Sequence, residues 1–233
     1  MTHDHKYSIP EERSDGLGRL GRGVWHDPRS LDYEAQTARR LKPVLHEPGP
    51  GTVLPLDQAS VGSCTTEALC AALSCAPDFH GRVFTQDDAY TGYSRETANE
   101  GEPWPPNDPG GSGLAACKAG KQLGWLKSYR HAFGLTAALK ALVLRPNIWG
   151  MNWYDTFDHP DPATGIVTIT PDAFIRGGHE VCATEIILDK ELIGFWNSWG
   201  RWGLNGTGRF YMSFSTAERL LAEEGDVTVP MPL

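Results

Sequence analysis

Three short stretches of this chain carry side chains that together can do covalent chemistry. Gln58 stands six residues before Cys64 in Asp57-Gln58-Ala59-Ser60-Val61-Gly62-Ser63-Cys64, and Gly178-His179 and Trp196-Asn197-Ser198-Trp199-Gly200 follow far downstream. A thiolate can attack a carbonyl. An imidazole beside it can hold and return the proton, and an asparagine on the far side of the ring can fix its orientation. A side-chain amide can stabilise the developing oxyanion. Cys64, His179, Asn197 and Gln58 supply one of each, a full set for acyl transfer through a thioester. A cysteine on an apolar helix is ordinarily a packed core residue, and that is the reading for Cys70, Cys75, Cys117 and Cys182. Cys64 departs from it because three local settings agree.

These groups need elements to hold them. Ser63 reads as an N-cap, and the Ala- and Leu-rich run 64–76 stops at Pro77, so Cys64 falls in the first turn of a helix. There the positive end of the helix dipole favours thiolate over thiol. Gly62 lets the backbone pass close to a substrate. Further helices are expected over 30–40, 112–124 and 136–144, and a short one opens at the Ser215-x-x-Glu218 capping box and ends at Gly225. Strands are expected over 166–170, 181–188, 192–197 and 208–214, with a hairpin turn at Asp189-Lys190-Glu191. The order is helical first and strand-rich second, hence an α+β chain. Residues 47–51 (Glu-Pro-Gly-Pro-Gly) read as a linker. It separates an N-terminal extension, 1–50, from a catalytic domain, 51–233.

The bulk properties exclude several classes. With 233 residues the chain can build one sizeable core. A formal charge of −8 argues against a general nucleic-acid footprint and against an anionic membrane surface. No apolar run approaches the ~20 residues of a membrane span. The polar start lacks a signal-peptide core, and the five cysteines form no Cys-x-x-Cys pair. They read as free thiols in a reducing compartment. The expected location is therefore cytoplasmic, or virion-associated if the chain is phage-encoded. Asp155, Asp158, His159 and Asp161 lack metal-site spacing and read as a solvated loop; His3 and His5 read as solvated tail residues. No metal and no cofactor is expected.

The motif set Gln58 to Cys64, Gly178-His179 and Asn197-Ser198-Trp199-Gly200 resembles the papain-like cysteine peptidases, closest to small bacterial and phage-encoded members without a long inhibitory pro-region. The resemblance runs from about Val53 to Phe214 and takes in Gly110-Gly111-Ser112, Trp202-Gly203 and Phe210-Tyr211-Met212. It implies a two-lobe fold, a helical lobe and a β-barrel-like lobe, with the site in the cleft between them. It implies Cys64 as nucleophile, His179 as base and acid, Asn197 as orienter and Gln58 as oxyanion donor, with Trp199 shielding the His–Asn contact. Gly110 and Gly111 would bind substrate backbone, the alternative being a plain turn before a helix. Cys64 is followed by Thr65, where the family has Trp, and His179 by Glu180, where it has a small residue.

Glu180 would then line the main specificity pocket, with Gly150 leaving room on another wall, and a carboxylate there would favour a Lys or Arg side chain. The alternative is that Glu180 turns to solvent or pairs with Arg176. The substrate would be a protein or peptide. Two other functions stay open. One is a structural or interaction protein, such as a component of a virion or other protein assembly. The other is an acyltransferase or deamidase with the same triad. Residues 1–50 are expected to pack along the catalytic domain, leaving the unprocessed chain active.

Overall fold

The computed structural model describes residues 19–233. The sequence expectations for His3, His5 and the rest of the first eighteen positions lie outside the described residues. Three helices form one lobe: α1 (Cys64–Leu73), α2 (Gln86–Asn99) and α3 (Gly113–Gln122). They close on a core that includes Leu56, Leu69, Ala72, Phe84, Ala116 and Trp125. Every residue of α1 is buried, including Thr65 and Glu67.

The other lobe is an antiparallel sheet: β1 (Val44–Leu45), β2 (Leu126–His131), β3 (Asn147–Tyr154), β4 (Ile175–Ile187), β5 (Leu192–Trp196), β6 (Arg209–Ser213) and β7 (Asp226–Pro232). The strand order is β2-β7-β3-β4-β5-β6, with β1 also on β4. The helices α4 (Gly134–Leu142) and α5 (Phe214–Ala222) pack together over it. Its core is aromatic, with Trp149, Trp153, Phe157, Phe195 and Phe210 all fully buried. The α+β, papain-like two-lobe architecture is present, but β2 and β6 end the ladder without pairing, so the sheet is open rather than a barrel.

Several local expectations need correction. The segment 30–40 is not a helix: a single 3-10 turn, Pro28–Asp32, is capped by Asp27, and then Ala35 N–H bonds to His131 O, which draws the chain out along the sheet. The segment 166–170 forms no strand, only a bridge from Ile166 to Tyr211. Helix α5 is capped by Ser213, which accepts from Thr216 N–H, rather than by Ser215, and it ends at Ala222. Helix α2 was not expected at all. Its start is a full capping box in which Thr85 and Asp88 satisfy each other's backbone N–H groups.

Candidate active site

Position along β3, β4 and β7 decides what each side chain faces. His179 pairs with Met151 across β3, and Glu180 pairs with Gly150. Gly150 pairs in turn with Asp226 on β7. Successive strand residues point to opposite faces, so His179 goes to one side of the sheet. Glu180, Gly150 and Asp226 form a row on the other.

On the first side, His179 Nε2 lies 2.7 Å from Asn197 Oδ1, which also accepts the Ser198 N–H at 2.7 Å. The other ring nitrogen, Nδ1, has no hydrogen-bond partner among the described residues. The ring is fully buried, with Trp153 edge-on at 4.8 Å and Trp199 tilted over it at 5.0 Å between centroids. Arg176 lies over Trp199 and pairs with Asp158, which accepts from Trp153 Nε1. Asp158 is thus buried behind the site rather than solvated in a loop, because an indole N–H and a guanidinium both need an acceptor there. Burial pushes the His179 ring down to about 4, the Asn197 bond opposing it and Arg176 adding to the fall.

Cys64 opens α1 with its side chain wholly buried. Ser63 occupies the N-cap position but its hydroxyl donates to Glu67 Oε1 instead of capping. Burial drives the Cys64 thiol well above the ordinary cysteine range, and Glu180 and, less so, Glu96 push the same way against the backbone groups of Glu180 and Gly21. Burial here opposes the thiolate that the helix dipole favours.

What excludes the water is the chain's own N-terminal part. Residues 19–23 run through the cleft. Arg22 N–H bonds to Gly178 O, Gly111 N–H to Gly21 O at 2.7 Å, and Gly23 N–H to Gly111 O at 2.6 Å. A Cβ on Gly110 would sit 2.0 Å from Gly21 O, one on Gly178 2.2 Å from Arg22 O, and one on Gly21 2.1 Å from Gly62 O. Glycine is required at these points because two backbones touch. Gln58 Nε2 donates to Arg19 O at 2.7 Å and Val61 O at 2.8 Å, while its Oε1 accepts from Ser198. The amide expected to meet an oxyanion therefore meets a carbonyl of this strap.

On the second side, Arg22 enters a pocket between Gly150, Glu180 and Asp226. Its side chain is fully buried; Nη2 pairs with Asp226 Oδ1 and donates to Glu224 O at 2.7 Å. A Cβ on Gly150 would lie 2.6 Å from Arg22 Nε, 2.7 Å from Asp226 Oδ1 and 2.8 Å from Glu180 Oε2, so the missing side chain is the space Arg22 fills. Glu180 is fully buried, neither turned to solvent nor paired with Arg176. Burial raises its carboxyl well above the usual range and Asp226 adds to the rise, while Arg22 pulls it down.

Sequence reading missed three residues that shape the site: Arg22, Asp226 and Asp108. Asp108 accepts Gly62 N–H at 3.1 Å and the Tyr93 hydroxyl, and pairs with Arg19 at 3.1 Å. It fixes both the turn before Cys64 and the end of the strap. The Glu223-Glu224-Gly225-Asp226 run reads as a helix end, and no local signal places Asp226 beside Gly150. Among the described residues, no group of three or more His, Cys, Asp or Glu is arranged to hold a metal, and no helix is long and apolar enough to cross a membrane.

No protein-family model and no curated protein matches this chain. Solved structures do. Xylellain, a cysteine protease from Xylella fastidiosa, superposes with a TM-score of 0.71 at 17% identity, over 97% of this chain and 100% of its own. Bromelain from Ananas comosus, solved with the E64 inhibitor, gives 0.57 at 13%, over 78% and 94%. The ragweed pollen cysteine protease Amb a 11, in its proform, gives 0.58 at 13%, over 88% and 72%. The chain has the papain-like cysteine protease fold.

Proposed function

We propose that this protein is a papain-like cysteine peptidase whose described state is closed by its own residues 19–23. The observation that carries the reading is the His179–Asn197 contact at 2.7 Å under Trp199, which leaves Nδ1 without a hydrogen-bond partner among the described residues. A ring held at one nitrogen and free at the other is oriented to take a proton and give it back. Cys64 at the start of α1 is the nucleophile, His179 the base and then the acid, and Asn197 the orienter. The Gln58 amide, with the Cys64 N–H, stabilises the oxyanion. Cys64 attacks the peptide carbonyl, His179 protonates the leaving amine, and water drawn on by His179 resolves the thioester. Gly110 and Gly111 hold substrate backbone as they hold the strap.

The strap blocks the site without being consumed. In a substrate, the pocket residue comes just before the residue at the scissile bond. In the strap, Arg22 comes after Gly21, the residue beside the Cys64 thiol. The chain sense is reversed, so no scissile carbonyl is presented. When the strap leaves, water returns to the cleft, the Cys64 thiol falls and the His179 ring rises, and the pair approaches a thiolate–imidazolium state.

The test is labelling with an epoxide that traps active-site cysteines, followed by peptide mapping, before and after limited proteolysis that cuts ahead of Thr52. Modification of Cys64 alone, appearing or accelerating on cleavage together with peptide hydrolysis, is expected. Labelling elsewhere, or none in either form, overturns the reading. A purely structural protein gives no labelling, and an acyltransferase gives amide product in place of acid when a free amine is added.

A further inference from the structure

Glu67 takes no part in the chemistry described above, yet its carboxyl is buried in the first turn of α1. Its Oε1 accepts from Ser63 Oγ at 3.1 Å and from Gln86 Nε2 at 2.5 Å. Gln86 Oε1 in turn accepts the Asp57 N–H at 2.7 Å, so the Gln86 amide can face Glu67 only with its nitrogen. Ser63 precedes Cys64 in the chain, and Asp57 precedes Gln58. The second oxygen, Oε2, is buried with no hydrogen-bond partner among the described residues. The same holds for Asn197 Nδ2 and Trp196 Nε1. Glu67, Trp196 and Asn197 line one cavity of about 10 Å³, together with apolar residues such as Leu54, Leu56 and Ala71. Glu180 also borders it, but the Glu180 carboxylate lies over Gly113 and Gly150. The cavity is the room that a single water needs, and a buried water makes about three hydrogen bonds. The lining offers three unmatched polar atoms. Two are N–H donors, and a water that accepts from both has no lone pair left. Its protons then need an acceptor, and Glu67 Oε2 is one. Burial raises the Glu67 carboxyl to about 8, and a water donating to Oε2 works against that rise.

We propose that a water held in this cavity joins Asn197 Nδ2 to Glu67 Oε2, and that Glu67 is thereby a positioning residue for the catalytic histidine and cysteine. The role rests on the peptidase reading, but the water can be tested without any activity. Asn197 Oδ1 is fixed by His179 and by the Ser198 N–H. With Nδ2 fixed as well, an amide turned end over end loses bonds at both ends and would point an N–H at the ring. Glu67 then ties the orienter of the ring to the residue before the nucleophile and, through Gln86, to the residue before the oxyanion donor. One carboxylate keeps in register groups that come from distant parts of the chain.

Nuclear magnetic resonance on the isotope-labelled full chain tests the water. The Asn197 side-chain amide and the Trp196 indole N–H, assigned through Asn197→Ala and Trp196→Phe, should both show cross-relaxation with a long-lived water. Its absence at Asn197 overturns the proposal. Kinetics on the full chain opened by limited proteolysis test the positioning role. Glu67→Gln keeps the contact with Gln86 but turns an N–H toward the cavity, against a water with no lone pair to spare. It should lower kcat about tenfold, the loss of one buried hydrogen bond, with KM changed by less than about twofold. In the Asn197→Ala background the same substitution should cost less than about twofold, because the group it positions is gone. Trp196→Phe removes one donor and should lower kcat about threefold, again only where Asn197 is present, and it carries the comparison if Glu67→Gln does not fold. Equal losses with and without Asn197 overturn the proposal, since a merely structural role gives additive effects. Hydrolysis that neither substitution slows leaves the peptidase reading standing and removes the positioning role. A water signal at Asn197 in a chain that cleaves no peptide removes both.

Discussion

His179 and Glu180 are neighbours in β4, both fully buried, and their surroundings could hardly differ more. The histidine face is aromatic: Trp153 and Trp199 pack on a ring that bonds to one neutral amide, with the Arg176 guanidinium over Trp199. The glutamate face holds a second carboxylate, a guanidinium and a hole where a side chain is missing. A strand's alternation separates these environments within one residue. The backbone of β4 thus sets an aromatic face and a charged face one residue apart.

The separation can be broken on either face. Cys64→Ala should lower peptide hydrolysis by roughly 10⁴-fold or more while circular dichroism stays unchanged. Retained turnover would move the nucleophile elsewhere. Asn197→Ala should cost about 10²-fold in kcat with little change in KM, since it frees the ring without touching the charged face. The thermal midpoint serves as the control for packing. On the other face, Arg22→Ala should speed iodoacetamide modification of Cys64 about tenfold at neutral pH, because one charge-assisted anchor of the strap is gone. The reaction should also turn on at lower pH as water lowers the thiol, and an unchanged rate would show that Arg22 does not hold the site shut.

The smallest effect sharpens the comparison from beneath. Glu96, bonded to Thr65 Oγ1 at 2.7 Å and to Ser112 N–H at 2.9 Å, is raised from 4.5 to about 8 by burial. Between those values the native chain keeps a proton that the unfolded chain has released, so stability falls as pH rises from 4.5 to about 8. Glu96→Gln should flatten that part of the urea-midpoint profile. A slope equal to the wild type's would assign it to the other buried acids, Glu67, which burial also raises to about 8, and Asp78, which it raises to about 7.

The legible part of this molecule was what local chemistry writes. Cys64 in a first turn, the Ser112 cap of α3, the turn at Asp189–Glu191 and the strands β5 and β6 all carry signals within a few residues. Helix α2 was missed because its buried face, Ala89, Tyr90, Tyr93 and Glu96, is interleaved with charge, although Thr85 and Asp88 announce its start. Strands β3 and β7 were missed for another reason. Asn147–Tyr154 and Asp226–Pro232 lack clean alternation because both their faces are covered. The charged pocket was half legible. Glu180 and Gly150 stand out beside the motif residues, but Asp226 and Arg22 reach them only through strand register and a long-range strap.

The strap has one further consequence. It is hydrogen-bonded to Gly111 on the helical lobe and to Gly178 on the sheet, so it is a seam as well as a plug. Opening the cleft and unstitching the two lobes are then a single event. The stored form should outlast the working form in heat and in protease, and the protein should be most perishable when it is most useful.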